Sequence, residues 1–201
     1  MKNEMEIWER KRGAEFLKQI GIKKGDVVID FGAGYGHYTL PGAKVVGEAG
    51  IIYAVDKDKK PLSAINKKAS KYGITNIITI ENSDGVTLTF ESESIDAVLL
   101  FDILHYLEKN KRRKLYQEIH RVLRSNKLLS LYPRHIKDDH PAGEFKDLRL
   151  EDVKYEIQME SFTFDEKFCG TISHDEKLVP GCVFNFRKDD LDTALREVKR
   201  V

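Results

Sequence analysis

Asp30, Gly32, Gly34 and Gly36 alternate along the stretch VIDFGAGYGHYTLP, residues 28–41. A structural turn needs one glycine, or two. Three in alternation strip a stretch of backbone of side chains, so that a ligand can lie against it. Such a turn between a strand and a helix is a place where nucleotide-type cofactors bind, with helix N–H groups directed at the ligand. The dinucleotide fingerprint GxGxxG/A needs a small residue at its third position for close packing of helix on strand. Counting from Gly32, that position holds the bulky His37, which opposes NAD or FAD.

The elements that must position this turn follow from the apolar pattern. Short continuous apolar runs at 26–31, 50–56, 76–82, 94–102 and 127–133 are expected as strands covered on both faces. Helices are expected over 12–22 with Gly21 at its end, over 39–48 with Pro41 in the first turn, over 60–73 and over 110–125. After a further helix over 149–162, two strand-like runs separated only by residues 173–176 predict an antiparallel hairpin at the far edge of the sheet. The expected fold class is α/β: a doubly wound, mostly parallel seven-stranded Rossmann-like sheet with an antiparallel C-terminal strand, in one domain over residues 1–201.

The run Asp30-x-Gly32-x-Gly34-x-Gly36 resembles motif I of the class I S-adenosylmethionine-dependent methyltransferases. SIDAVLLFDILHYL (94–107) is similar to motif IV of the small-molecule members, and LYQEIHRVLRSNKLLSLY (115–132) to their conserved helix and strand. Ser125-Asn126-Lys127 stands where Pro-Gly-Gly is common. The resemblance covers residues 10 to 135 well and is nearest to the type 11-like, quinone-biosynthesis-like enzymes. It implies a cofactor site for S-adenosylmethionine, leaving S-adenosylhomocysteine as product. Asp30 would orient the loop and help hold the amino group, with Gly32, Ala33, Gly34 and Gly36 beneath the methionine portion. Asp56 would accept both ribose hydroxyls, since one carboxylate takes two hydrogen bonds in a plane. Lys57 would flank the adenine, and Asp84, followed by Gly85, would accept from its amino group.

The resemblance also implies that the methyl group emerges near Phe101-Asp102-Ile103-Leu104-His105-Tyr106, with Phe101 beside the cofactor. His105 is the candidate base, with an ordinary pKa near neutrality. Asp102 is the candidate for orienting the sulfonium region or the acceptor. The sequence Asn/Asp-Pro-Pro-Tyr, which serves exocyclic amines, is absent. His135 and His140 lie with Asp138 and Asp139 in a polar loop expected to act as a lid, and no metal centre is expected. Trp8 and Tyr106 are candidates for lining the acceptor pocket.

Balanced charge, 34 basic against 33 acidic residues, gives no global argument for nucleic acid or an anionic membrane. The basic run at 109–114 is expected as a solvated helix face. No apolar stretch approaches the ~20 residues of a membrane span. A small-molecule or lipid-like acceptor is therefore preferred over RNA or protein, and over a non-enzymatic partner subunit of the same fold. The expected location is cytoplasmic, with Cys169 and Cys182 as reduced structural thiols. Edge strands near 163–187 are available for pairing in a homo-oligomer.

Overall fold

The computed structural model describes residues 2–190. The expected single domain over 1–201 extends to Met1 and residues 191–201, which lie outside the described residues. Seven strands form one sheet in the order β3-β2-β1-β4-β5-β7-β6. Strands β1 (Val27–Phe31), β2 (Ile51–Asp56), β3 (Ile77–Glu81), β4 (Ile95–Phe101) and β5 (Leu123–Tyr132) pair in parallel. The edge hairpin is β6 (Phe162–His174) and β7 (Lys177–Lys188), and β7 runs antiparallel to both β5 and β6.

Alternation within each strand explains why both faces are covered. Val28, Ala97 and Leu99 point into one apolar cluster with helix α2 (Gly13–Gln19) and helix α3 (Thr39–Val46). Their neighbours Ile29, Val98 and Leu100 point into the other, built with helices α5 (Lys109–Val122) and α6 (Leu150–Gln158). On α5, Leu115, Ile119 and Val122 recur at helical spacing and are fully buried, each contributing about 1.5–3 kcal/mol. Helix α4 (Lys59–Tyr72) seats Leu62 and Ile65 against Ala33 and Ala54, then ends at Gly73 in the left-handed conformation.

Several expectations are corrected. The N-terminal helix begins earlier than residue 12: α1 (Lys2–Ile7) runs through a π-helical turn, Trp8–Arg12, into α2. Strand β5 starts at Leu123, immediately after α5, so the helix is shorter than 110–125. Helix α6 likewise stops at Gln158, and β6 begins at Phe162.

The basic run is only partly solvated. Arg112 is buried, donates two hydrogen bonds to Glu156 at 2.7 and 2.8 Å and one to the Leu107 carbonyl at 2.7 Å. It also lies over the Phe145 ring. The guanidinium therefore ties α5 to α6 and to the loop after β4. Charge density in the sequence did not distinguish this one arginine from its exposed neighbours.

The cysteines are not free thiols. Cys169 and Cys182 face each other across the β6–β7 ladder and form a disulfide. The physical reason is register: the hairpin brings together two residues whose sequence spacing carried no motif.

Candidate cofactor and acceptor site

The sheet order reverses between β1 and β4, where ligands bind in open α/β sheets. The loops after those strands meet there: a Cβ on Gly32 would come within 2.8 Å of Ile103. The three glycines turn out to do different work. Gly32 permits this loop-to-loop contact, and Gly36 permits contact with Ile65 of α4, where a Cβ would come to 2.8 Å. Only at Gly34 would a Cβ point into open space, with nothing within 4 Å. Gly34 also holds φ at +51°, a region that L side chains adopt at a cost.

Asp56 leaves the end of β2 and accepts from the Gly34 N–H at 2.8 Å and from the Asp58 N–H at 3.0 Å. A carboxylate offers about four lone-pair positions, so two remain for a ligand. Asp30 is buried beneath the loop and accepts from the Thr39 hydroxyl. Burial, with the Asp56 charge adding to it, pushes its carboxyl up to about 6. Trp8 is a core residue rather than a pocket wall: its indole donates to the His37 carbonyl at 2.8 Å and fixes the end of the glycine loop. Beside it, buried Glu9 meets His37 at 3.1 Å and Lys68 at 2.6 Å.

Asp84 and Gly85 lie in the loop after β3, and Asp84 is exposed. Its carboxylate accepts from the backbone N–H groups of Val86 and Thr87. The Thr87 side chain first, and then those backbone bonds, hold it below the usual range. This loop, with Val55 and Leu88, walls a cavity of about 240 Å³. Lys57 is exposed at the head of the same edge. Phe101 is buried against Tyr38, with ring centroids 4.6 Å apart, and is part of the aromatic core with Phe16.

Asp102 follows β4 with φ at +58° and lies among three imidazoles. His174 Nδ1 is 2.6 Å from its Oδ2, while His105 Nδ1 and His135 Nε2 are 3.5 and 3.7 Å from its Oδ1. Burial raises the Asp102 carboxyl, against the pull of His174 and His135. Burial likewise lowers His105 to about 4, helped by His135 and His174. His105 is thus a neutral and weak base at pH 7. Tyr106 is exposed and stacks on it.

The sequence reading missed His174, which sits at the end of the hairpin. No local signal marks it: only the hairpin's return over the glycine loop brings it to Asp102. Tyr38 anchors that return, donating to the Ser173 carbonyl at 2.7 Å and accepting from the Ser173 N–H at 3.1 Å.

Comparison with known proteins agrees with this geometry. Residues 28–126 match the methyltransferase domain family. A probable cobalt-precorrin-6B C(15)-methyltransferase (decarboxylating) of Saccharolobus solfataricus is 33% identical over 85 residues, covering 42% of this chain and 43% of the relative. Demethylmenaquinone methyltransferase of Lactobacillus johnsonii is 28% identical over 118 residues, covering 58% and 46%. The chain thus matches less than half the length of these curated relatives. The crystal structure of an S-adenosylmethionine-dependent methyltransferase from Aquifex aeolicus superimposes with a TM-score of 0.70 at 20% identity, over 90% of this chain and 91% of that one. At that identity the likeness speaks for the fold. With the family match over residues 28–126 it points to one class: the chain is similar to class I S-adenosylmethionine-dependent methyltransferases of the type 11-like kind, whose cofactor is S-adenosylmethionine.

Proposed function

We propose that this chain methylates a small-molecule acceptor, reached over the end of β4. One observation carries the reading: the side-chain-free face of Gly34 and the Asp56 carboxylate share the switch-point edge with Asp102. The residues present fit the cofactor. Gly34 leaves room at the loop, Asp56 keeps lone pairs for a diol, and Asp30 supplies an acidic group beneath the loop. Asp84, Gly85 and Lys57 would bound the adenine end, while Gly32, Ala33 and Gly36 hold the loop's shape. Phe101 supports the site from the core, through its packing on Tyr38.

S-adenosylmethionine, when bound, supplies a methyl group on a sulfonium that an acceptor lone pair can take by in-line displacement. The protein's tasks are then to align the acceptor and exclude water. Asp102 lies on the acceptor side, where its carboxylate can hold or orient an acceptor group. Neutral His105 can accept a hydrogen bond there and is too weak a base at pH 7 to deprotonate an ordinary hydroxyl unaided. The loop carrying His135 and His140 and the tip of the β6–β7 hairpin form the cover. A lipid-like acceptor is one form of this small-molecule reading. The alternatives of RNA or protein as acceptor, or a non-enzymatic partner role, have no specific observation behind them.

Calorimetric titration of S-adenosylmethionine and S-adenosylhomocysteine tests the reading. Wild type is expected to bind both, and Asp56→Ala to bind more weakly by about 1.5–3 kcal/mol, the scale of hydrogen bonds to a charged group. Folded wild type that binds neither would end it.

A further inference from the structure

We propose that Asp102, His135 and His174 form a binding site for one divalent first-row transition cation, with zinc the simplest occupant. The facing atoms, a carboxylate oxygen and one nitrogen from each ring, all lie within 4.8 Å of one another. All three residues are partly buried, and each comes from a different strand end. Asp102 directly follows β4, His135 lies in the loop after β5, and His174 ends β6.

The remote nitrogens decide the chemistry of the near ones. His135 Nδ1 lies 2.9 Å from the His140 carbonyl, an acceptor only, so this nitrogen carries the proton and donates. Its Nε2 is thereby left with a lone pair facing Asp102. His174 Nε2 lies 3.4 Å from the Asp175 carboxylate, on the side of the ring away from Asp102. This arrangement, in which a carbonyl or carboxylate takes the second ring N–H, is the one that metal-ligating histidines use.

His174 Nδ1 faces Asp102 Oδ2 at 2.6 Å, a separation that requires a proton or a cation between them. Buried His174 Nδ1 and buried Asp102 Oδ1 have no hydrogen-bond partner within the protein. Such a cluster calls for a positive charge between its members. Tetrahedral zinc, with bonds of ~2.0–2.2 Å, would set neighbouring ligand atoms about 3.3 Å apart. The contacts of the two rings, 2.6 Å to Oδ2 and 3.7 Å to Oδ1, and the 4.8 Å limit on all three ligand atoms are of that order. Two imidazoles and a carboxylate suit zinc, iron, cobalt or nickel rather than magnesium or calcium, and leave coordination positions open. His105, 3.5 Å from the same carboxylate, stands beside them. The site runs against the expectation of no metal, because the sequence offered His135 without its partner His174. It does not depend on the methyl-transfer reading.

The test uses untagged full-length protein, stripped with chelator and desalted. Zinc or cobalt(II) is titrated by calorimetry, and bound metal is counted by mass spectrometry after equilibrium dialysis. Wild type is expected to bind one equivalent, with His135→Gln and His174→Gln each weakening affinity by more than about tenfold. His140→Gln, whose backbone carbonyl remains, is expected to bind as wild type does. Asp102→Asn tolerates the positive φ and provides a third variant, while circular dichroism and thermal unfolding report that each is folded. No stoichiometric binding by wild type overturns the proposal. Equal binding by the folded His135 and His174 variants overturns it as well.

Discussion

At the scale of single residues, the alternating glycines divide between an open loop face and packing. Gly34→Ala adds a methyl group in open space, so its folding cost is the backbone term, about 1–2 kcal/mol for a residue held at positive φ. Gly36→Ala incurs the same term and also drives a methyl group into Ile65. Denaturant unfolding is expected to rank Gly36→Ala as the less stable, while calorimetry ranks Gly34→Ala as the greater loss of cofactor affinity per unit of lost stability. The reverse ranking would remove Gly34 from the binding face. Asp30 carries a pH signature. Its folded pKa of about 6 lies above the unfolded value, so the folded state retains that proton longer. The group therefore contributes stability below about pH 4 and loses it as pH rises through about 6. Asp30→Asn keeps an acceptor for Thr39 and lacks this titration. Its stability relative to wild type is expected to rise between pH 4 and 7, by about 2–3 kcal/mol at most. A pH-independent difference would refute the assignment.

At the scale of elements, the β6–β7 hairpin extends well beyond the strand it docks on. Its ladder runs from Phe162↔Lys188 to His174↔Lys177, whereas β7 pairs with β5 only from Leu128↔Arg187 to Leu131↔Phe184. Asp175 and Glu176 close its tip with positive φ at both positions, as a two-residue hairpin turn of the primed type demands. The Cys169–Cys182 disulfide staples the part that no third strand supports. Its sequence separation of 13 corresponds to a chain-entropy contribution of about 3 kcal/mol for a loop of this size. Cys169→Ser/Cys182→Ser is expected to lower global stability by about 1–3 kcal/mol in denaturant unfolding. Addition of reductant to wild type is expected to reproduce that loss, and an unchanged midpoint under both conditions would show that the staple carries no stability.

Across the whole molecule, one edge of the sheet collects the chemistry because β1, β2, β4, β5 and β6 share a direction. Their carboxyl ends deliver the glycine loop, Asp56, Asp102, His135 and His174. Tyr38 couples the two halves of that edge, from the glycine loop to Ser173 in the hairpin. Tyr38→Phe keeps the ring in its aromatic cluster and orphans a buried N–H and a buried carbonyl. A loss of about 1–3 kcal/mol is expected, or several degrees in Tm for a chain of this size. Unfolding indistinguishable from wild type would mean that the hairpin docks by apolar contact alone. No helix among the described residues is long and apolar enough to cross a membrane.

The sequence by itself determined the strand and helix alternation, the parallel sheet, the hairpin and the glycine-and-aspartate signature of the loop after β1. Those features are local: apolar period, turn glycines and the aspartates at the ends of β1, β2 and β4 can be read within a dozen positions. Tertiary structure decided which glycine faces open space, because Ile103 and Ile65 come from distant elements. It decided that Arg112 is buried, since Glu156 lies on another helix, and that Trp8 and Phe101 belong to the core. It paired the two cysteines through strand register. It also joined His174 to Asp102 and His135, because only the folded hairpin brings that imidazole back over the sheet edge.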